Sequence, residues 1–493
     1  MNIKLNRGST IPLARQIEEG IADRILSGHF DPGAQLPTVR ELSRVLQVSP
    51  VTVTHALKLL EERRLVNRVK GKGVFVAADV VGTSWQQRKS EENNSPPIPD
   101  YVHRSQHFHF NRTAAAINLS LSTVHPHLLP TQALADSVTR MIAADPEVLA
   151  QFGEIQGDTE LRNYLAQYME RERLQVSPEQ ILITNGSQQG IDLVARCFLG
   201  PGDIVVTEEP TYSAAIDVFK SRGATVWSVP VDQEGMRVER LLPLLDSGGS
   251  PKLIYTVPTF HNPTGTVMSE RRRRELIELA NQLNCLVLED DPWSEVYFHE
   301  PPPPPLQALD RRGSVIYVKG LGKMLAPSCR VGYLIASGRV RERLLAAKAN
   351  ADLGNPLLNQ KVVLALFQSQ VFSRYLNRLR KDLAQKRDLA VRLLEEYAPT
   401  GVTWNVPRGG LNLWLSLPAG ANALLLLERA EKESLHFLPG SACYPGDVEW
   451  NHLRISFSCV TDEELEQGIR LLGRLMQEYL TLPSGQKGTT PYF

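Results

Sequence analysis

The sequence predicts two domains of different class, a small α+β domain at the N-terminus and a large α/β domain after it. Three observations support this division. At 493 residues the chain is longer than one compact core usually supports. Residues 12–77 contain three helical patterns followed by two short β-type segments. From residue 117 onwards, short apolar segments typical of buried parallel strands alternate with helical patterns.

The composition is that of an ordinary globular protein, with 42% hydrophobic and 22% charged residues. The N-terminal segment MNIKLNRGST lacks the apolar stretch of a secretory signal. No apolar segment approaches the roughly 20 residues of a membrane span. The five cysteines are scattered without a CxxC pair, so we expect reduced thiols in a cytoplasmic protein and neither a metal site nor a membrane partner.

The net charge is zero, but the charges are unevenly distributed. Residues 1–78 contain twelve Lys or Arg and seven Asp or Glu, so the rest of the chain has an acidic excess of five. A basic N-terminal domain on an acidic remainder favours contact between that domain and the phosphates of a nucleic acid.

The N-terminal helices can be assigned from their periodicity and caps. Residues 12–27 carry an apolar residue at every fourth position, which predicts an amphipathic helix. Thr38 and Glu41 form a capping box at the start of a second helix. Ser49 as N-cap and Pro50 at the first helical position predict a third helix. Two β-type segments joined by a basic glycine turn follow, so the region fits a winged helix-turn-helix.

This region resembles the GntR-type DNA-binding domain. Its residues follow the family pattern PGxxLPSxRxLAxxLxVSxxTVxxALxxLxxxGLIxxxxGxGxFV almost position for position over about sixty residues. The resemblance implies a domain over 1–78 that binds double-stranded operator DNA. Pro50 departs from the pattern, because the family often has a base-contacting arginine there. The residues expected to contact DNA are Thr38, Arg40, Ser49, Thr52, His55, Lys58, Arg68, Lys70, Gly71 and Lys72.

A helical domain with an ordinary solvated face is the alternative for this region. The next segment, 79–116, is polar, irregular and rich in proline, which predicts a linker. Its three histidines, at 103, 107 and 109, are interpreted as solvated side chains and not as metal ligands. We expect the large domain to span 117–482 and the last residues, 483–493, to form a disordered tail.

The large domain contains five segments that together suit a phosphorylated, pyridinium-bearing aldehyde. Such a group needs a lysine for an imine, an anion at the ring nitrogen, a donor to the ring oxygen, and amides or hydroxyls for phosphate. Each segment alone has a simpler interpretation, such as a capped loop or a surface lysine. The residues concerned are Gly186, Ser187 and Gln188 after a strand, Tyr212, Asn262 in HNPTG, Asp290 at a strand end, and Lys323 with Arg330.

In this order the segments resemble those of the fold type I aminotransferases, class I/II, over the C-terminal three-quarters of the chain. The resemblance implies pyridoxal 5'-phosphate (PLP) as cofactor. It implies phosphate contacts from Ser187, Gln188 and Arg330, stacking by Tyr212, ring-oxygen and ring-nitrogen contacts from Asn262 and Asp290, and an internal aldimine on Lys323. It also implies that Arg454 clamps an effector carboxylate, with a structural ion pair as the alternative.

Four positions depart from the aminotransferase pattern. Trp293 stands beside the cofactor in place of a tyrosine, so a hydroxyl for the ring oxygen is missing. Leu321 and Gly322 replace hydroxyl residues that donate to phosphate, and Phe152 replaces a tyrosine that reaches the neighbouring subunit's phosphate. We therefore expect imine chemistry to survive and fast transamination not to.

A GntR-type N-terminal domain joined to an aminotransferase-like domain resembles the MocR subfamily of regulators. The resemblance implies a homodimeric, PLP-binding transcription regulator that responds to PLP or to a small amino compound. Two other hypotheses stay open. One is a working PLP-dependent transaminase that carries a DNA-binding head, and the other is a DNA-binding protein whose large domain serves only for dimerisation.

Overall fold

The computed structural model describes residues 12–26, 33–63, 65–69, 73–77, 117–171, 174–243 and 250–482. Backbone contacts divide the chain into an N-terminal and a C-terminal unit. We call their described parts the head (12–77) and the body (117–482). The predicted linker, its histidines, the predicted tail, and Lys70, Gly71 and Lys72 lie outside the described residues.

The head contains three helices and a two-stranded antiparallel sheet, as predicted. Its core is made of aliphatic side chains from all three helices, including the buried Ile17, Leu42 and Leu57. In the hairpin, Val66 pairs with Val76. The elements are α1 Leu13–Leu26, α2 Val39–Leu46, α3 Pro50–Glu62, β1 Val66–Val69 and β2 Gly73–Val76.

Both predicted caps of the head are confirmed. The hydroxyl of Thr38 accepts from the backbone amide of Glu41, and the Glu41 carboxylate accepts from the backbone amide of Thr38 at 2.8 Å. Ser49 caps α3 by accepting from the backbone amide of Thr52 at 3.1 Å, and Pro50 occupies the first helical position. These bonds satisfy amides that have no partner inside their own helix.

The body contains a large mixed sheet with strand order β4-β11-β10-β9-β8-β5-β6-β7 in the described residues. A smaller antiparallel sheet has the order β12-β13-β16-β15. The strands are β3 Ile117–Asn118, β4 Ile181–Thr184, β5 Ile204–Glu209, β6 Thr225–Asp232, β7 Gly235–Met236, β8 Leu253–Thr256, β9 Leu286–Asp291, β10 Val315–Gly320, β11 Gly332–Ile335, β12 Thr403–Trp404, β13 Asn412–Ser416, β14 Leu435–His436, β15 Leu438–Pro439 and β16 His452–Ser456.

Helices connect the strands of the body and cover its sheets. The predicted helix over 270–283 is confirmed at both ends. No helix in the described ranges combines the length and apolar character that crossing a bilayer requires. The helices are α4 Thr131–Ala144, α5 Thr159–Arg171, α6 Ser187–Phe198, α7 Ser213–Ser221, α8 Glu270–Leu283, α9 Leu306–Leu309, α10 Gly338–Asp352, α11 Leu357–Gln368, α12 Gln370–Tyr397, α13 Ala423–Lys432 and α14 Asp462–Thr481.

The predicted parallel strands of the large sheet are confirmed, but two further strands of this sheet are reversed: β7, which lies antiparallel to β6, and β11. Strand β11, which the sequence analysis did not predict, returns directly from β10 and lies antiparallel to both β10 and β4. The strands β10, β9, β8 and β5 are mutually parallel. Because β11 is reversed, β4 still runs in the same direction as these four. The carboxyl ends of all five strands therefore meet at one edge of the sheet, where α/β proteins place their ligand sites.

Candidate functional site

The loop after β4 joins the start of α6 at this edge of the sheet. Gly186 is the N-cap of α6 and has a φ of 79°, which favours glycine. The helix begins at Ser187, so its first backbone amides point into the loop. The guanidinium of Arg330 lies beside this loop and donates from Nη2 to the carbonyl oxygen of Asn185 at 3.5 Å. The arrangement is an anion site of helix amides and one cation.

Close backbone packing holds this loop against the ends of β10 and β11. A Cβ atom on Gly332 would lie 2.7 Å from Cα of Gly186, and one on Gly320 would lie 3.2 Å from Oγ of Ser187. Only glycine allows β11 to approach the loop this closely. Gln188, in the first turn of α6, accepts a hydrogen bond from the hydroxyl of Tyr212 at 3.3 Å. The structure therefore brings the three predicted residues of this loop and helix together with Tyr212 and Arg330.

Asp290 lies near the end of β9 and is 4% exposed. Its Oδ2 accepts from the hydroxyl of Tyr255 at 2.8 Å, while its Oδ1 is buried and has no hydrogen-bond partner among the described residues. Burial raises the pKa of Asp290 to about 6, against the lowering effects of Tyr255 and Lys323. A buried carboxylate oxygen without a donor is costly, and a pyridinium N–H would satisfy it.

Lys323 follows β10, and its amine lies over two aromatic rings. Its Nζ lies 4.2 Å from the ring centroid of Trp293 and 5.8 Å from that of Tyr212. Burial lowers the pKa of Lys323 to about 8, although the charge of Asp290 acts in the opposite direction. A lowered pKa makes a larger share of the amine neutral, and the neutral amine is the form that attacks an aldehyde.

Trp293 is 1% exposed, and its Nε1 donates to the carbonyl oxygen of Phe260 at 3.0 Å. The indole N–H is therefore already bonded, and the ring presents a face, without a donor, to Lys323. Its backbone amide is held by Oδ1 of Asp291 at 3.3 Å. The structure thus supports the expectation that no hydroxyl is available at this position.

Arg454, on β16, is 4% exposed and reaches the HNPTG loop. Its Nη1 donates to Oδ1 of Asn262 at 2.8 Å, and its Nη2 donates to the carbonyl oxygen of Ser120. Its Nε is buried without a partner among the described residues, and no carboxylate there is a charge partner. Burial lowers the pKa of Arg454. The alternative of a structural ion pair is not supported, because the ion-pairing anion is missing from the described residues.

Sequence reasoning missed the buried polar residues behind the site. Tyr255 is one, although a tyrosine within a buried apolar strand beside β9 was an available signal. Glu208 is another: it accepts from Thr256 and lies 3.2 Å from Nε2 of His261, the residue before Asn262. A third group surrounds Asp291 and comes from two segments 26 to 28 positions apart, so no local pattern marks it. Its members are Asp291, Glu295, Tyr317 and Lys319.

The other departures from the aminotransferase pattern have different surroundings. Leu321 is 2% exposed and belongs to a large apolar cluster, so its side chain packs in the core. Gly322 offers only its backbone. Phe152 is 97% exposed. The contacts that a hydroxyl at these positions would make are thus absent from the described residues of this chain.

Taken together, the described residues fit PLP. The orphaned oxygen of Asp290 matches the ring nitrogen, the side chain of Asn262 lies where the HNPTG loop meets Arg454, and the amine of Lys323 lies over the ring of Trp293. The amides that begin α6, together with Arg330, match the phosphate.

The described residues among the predicted DNA contacts lie at the surface of the head, and Thr52 is half-buried. The side chains of Arg40 on α2, His55 and Lys58 on α3, and Arg68 on β1 are exposed. Lys58 lies 3.9 Å from Glu62, and Arg68 lies 3.8 Å from Glu61. The hydroxyls of Thr38 and Ser49 act in helix caps, as described above.

Comparisons with known protein families agree with both units. The family model for aminotransferase class I and II matches residues 117–472, and that for bacterial regulatory proteins of the gntR family matches residues 13–76. The HTH-type transcriptional regulator YisV of Bacillus subtilis (strain 168) is 32% identical over 479 residues, which cover 94% of this chain and 96% of that protein. The chain belongs to the MocR-type regulators of the GntR family.

Other relatives of this MocR-type regulator match its body. Aromatic-amino-acid aminotransferase 1 of Thermococcus litoralis is 34% identical over 74% of this chain and 89% of its own. Among solved structures, kynurenine aminotransferase of Pyrococcus horikoshii is 34% identical with a TM-score of 0.71, covering 74% of this chain and 92% of its own. The α-aminoadipate aminotransferase LysN of Thermus thermophilus is 31% identical with a TM-score of 0.72, covering 78% and 98%. The body therefore has the fold type I aminotransferase fold, with PLP as the family's cofactor.

Proposed function

We propose that this MocR-type regulator carries PLP on Lys323 and changes its affinity for operator DNA when PLP or a small amino compound occupies the body. In this proposal Gly186, Ser187, Gln188 and Arg330 hold the phosphate. Tyr212 and Trp293 contact the ring, Asn262 holds the ring oxygen, and Asp290 holds the ring nitrogen. When bound, PLP supplies an aldehyde that reacts with amines and an electron-withdrawing ring.

The observation that carries the amino-compound proposal is the state of Arg454. A buried guanidinium with an unpartnered Nε and no acidic partner in the described residues is unfavourable unless an anion joins it. Its planar fork suits a carboxylate, and it is bonded to Asn262, a proposed cofactor residue. A ligand with an amine at Lys323 and a carboxylate at Arg454 has the chemistry of an amino acid.

We further propose that the body works as a sensor and transaminates slowly. A fast transaminase must tune the pKa of its imine and move a proton at the substrate's Cα. Trp293 offers no O–H for that tuning, and Leu321 packs in the core where the family has a phosphate donor. Lys323 and Asp290 nevertheless keep the groups that bind and exchange amines.

A homodimer is part of the proposal. Leu149, Phe152, Ile155 and Leu353 are all exposed, at 60%, 97%, 39% and 76%. Their two loops are in contact, since a Cβ atom on Gly354 would lie 2.4 Å from a backbone oxygen of the 149–155 loop. An apolar patch of this kind favours a protein partner, and a second copy is the partner that the family pattern at Phe152 suggests. Phe152→Asp is expected to give monomers in light scattering.

The proposal also keeps the domain bounds 1–78, 79–116, 117–482 and 483–493, and a cytoplasmic location. The DNA-binding family of the head supports that location. So do the five cysteines, which all lie in the described ranges and form no disulfide there.

The test measures DNA binding by the full chain with and without PLP, and then with a panel of amino acids. We expect selected operator duplexes to bind with an affinity that changes when the body is loaded, and expect Lys323→Ala to remove this response. Arg40→Ala is expected to weaken DNA binding about tenfold through loss of a charged contact.

The alternative is a working aminotransferase with a DNA-binding head. The observation that favours it is the 34% identity between this chain and an aromatic-amino-acid aminotransferase. Rapid conversion of the loaded protein to its pyridoxamine form by amino acids, with DNA affinity unchanged, would favour that alternative. A body that takes up no PLP while the head still binds DNA would favour a dimerisation scaffold.

A further inference from the structure

The first turn of α3 offers few unengaged polar groups. The hydroxyls of Ser49 and Thr52 lie 2.8 Å apart and are hydrogen-bonded, and Ser49 also caps the helix. Pro50 has no side-chain donor. The hydroxyl of Thr54 donates to the backbone oxygen of Pro50 at 2.8 Å. The polar side chains at the start of the helix are therefore bonded within the helix itself.

Val51 is an exposed aliphatic residue in this first turn. Its side chain is 77% exposed, although valine is usually buried. The other valine of α3, Val53, is fully buried in the head's core. Among the described residues Val51 therefore belongs to no apolar core, and it lies one turn before the exposed His55 on the same helical face.

The charges around Val51 indicate what kind of partner this surface meets. The first turn of α3 contains no acidic residue. Arg40 on the preceding helix and Lys58 two turns further along α3 are exposed cations. An amino-terminal helix end with positive neighbours suits a polyanion, and it is the part of a recognition helix that meets base edges.

We infer that Val51 determines sequence specificity by packing against the C5-methyl group of a thymine in the major groove. Among base edges there, that methyl is the apolar group that distinguishes thymine from the other bases. A valine cannot hydrogen-bond to a base, and so an apolar contact is the interaction it can make. This inference rests on the proposed reading of operator DNA by the head, and it adds a residue that the sequence analysis did not select.

The experiment uses the PLP-loaded full chain. A preferred duplex is first selected from random DNA, and each thymine in it is then replaced by deoxyuridine, which removes one methyl group. For at least one thymine we expect the wild-type affinity to fall about fourfold, the effect of one buried methyl group. In Val51→Ala the same replacement is expected to change affinity by less than roughly twofold, because little of the apolar partner remains.

Two further variants make the result specific. Val45→Ala removes another exposed valine, 51% exposed on α2, and should keep the wild-type response to deoxyuridine. Val51→Thr keeps the shape and one methyl group of the side chain, so an intermediate response is expected. Because Val51 is exposed, neither substitution at this position removes core packing, and circular dichroism should show unchanged folding.

Several results would overturn the inference. One is that the deoxyuridine profiles of the wild type and Val51→Ala coincide, and another is that Val51→Ala weakens every duplex equally, as loss of a backbone contact would. A changed oligomeric state with an unchanged DNA profile would assign Val51 to a protein interface instead. If the wild type selects no duplex at all, the proposed DNA reading fails along with the inference. If it selects one without a Val51-dependent thymine, only the inference fails.

Discussion

The head and the body place their functional residues in opposite physical settings. In the head, the described residues expected to meet DNA lie at the surface of two neighbouring helices and strand β1, between positions 38 and 68. In the body, Lys323, Asp290 and Arg454 are partly or fully buried and come from distant segments. Arg454 bonds to a residue 334 positions away. The head's surface residues come from one short segment of the chain, whereas the residues of the body's site come together only when its sheets have formed.

This difference has an energetic consequence. An exposed charge in the head contributes little to the free energy of folding, and its removal changes that free energy little, because water solvates the charge. The buried groups of the body carry a desolvation penalty, which appears as the raised pKa of Asp290 and the lowered pKa values of Lys323 and Arg454. We therefore expect substitutions in the body to change ligand chemistry strongly, and substitutions in the head to change DNA binding by smaller factors.

The largest expected effect follows from Lys323→Ala, which should abolish covalent retention of PLP because the reacting amine is gone. DNA binding by the PLP-free protein should persist, since the recognition residues belong to the other unit. The measurement is borohydride reduction followed by mass spectrometry. Lys381→Ala, an exposed lysine on α12, serves as the matched control and should retain PLP. A reducible adduct in Lys323→Ala would assign the cofactor to another lysine.

The pH dependence of PLP capture tests the burial of the body's site. Burial lowers the pKa of Lys323 to about 8, so the neutral fraction of its amine should rise about fiftyfold from pH 6 to pH 8. The same fraction decreases when the pH is lowered. Stopped-flow absorbance should show that the rate of PLP capture becomes constant above about pH 8. Asp290→Asn should lower the midpoint, because the carboxylate of Asp290 raises the pKa of Lys323. A midpoint above pH 10 would mean an ordinary, solvated lysine.

Arg454→Gln tests whether the buried guanidinium recognises a carboxylate. In the wild type, an amino acid should bind the PLP-loaded protein about thirtyfold more tightly than the amine that lacks its carboxylate, a difference of about 2 kcal/mol. The variant should bind both alike, and Arg454→Lys should show an intermediate preference. Spectral titration gives the affinities. Equal binding of the two ligands by the wild type would contradict the proposed role of Arg454.

The smallest of these four effects is in the head. Ser49→Ala removes the N-cap of α3 and should destabilise that helix by about 1 kcal/mol, measured as about fivefold faster hydrogen exchange of its amides in the full chain. Thr54→Ala, which removes a hydroxyl bonded to the backbone within the same helix, should leave exchange nearly unchanged. Equal effects of the two substitutions would show that the cap contributes nothing.

The two units also differ in how well their sequences predicted them. The caps at Thr38 and Ser49 were predictable because each depends on residues within three positions of itself. The strand ends and the start of α6 were predictable from short apolar segments followed by polar motifs. Strand β11 was missed because its four residues, Gly-Tyr-Leu-Ile, follow a long loop and are too short a pattern to indicate a strand. Tyr255 was missed because its meaning depends on the neighbouring strand.

The sequence by itself determined the elements of the head, the order of the five motifs in the body, and the residue types that suit PLP. These features are local, since periodicity, caps and loop chemistry act over a few positions. Only the tertiary structure decided that Asp290 keeps an unpartnered oxygen, that Arg454 is buried without an acidic partner in the described residues, and that Trp293 faces Lys323 with its N–H already bonded. Desolvation and partner choice depend on which distant segments pack together, and no local pattern records that.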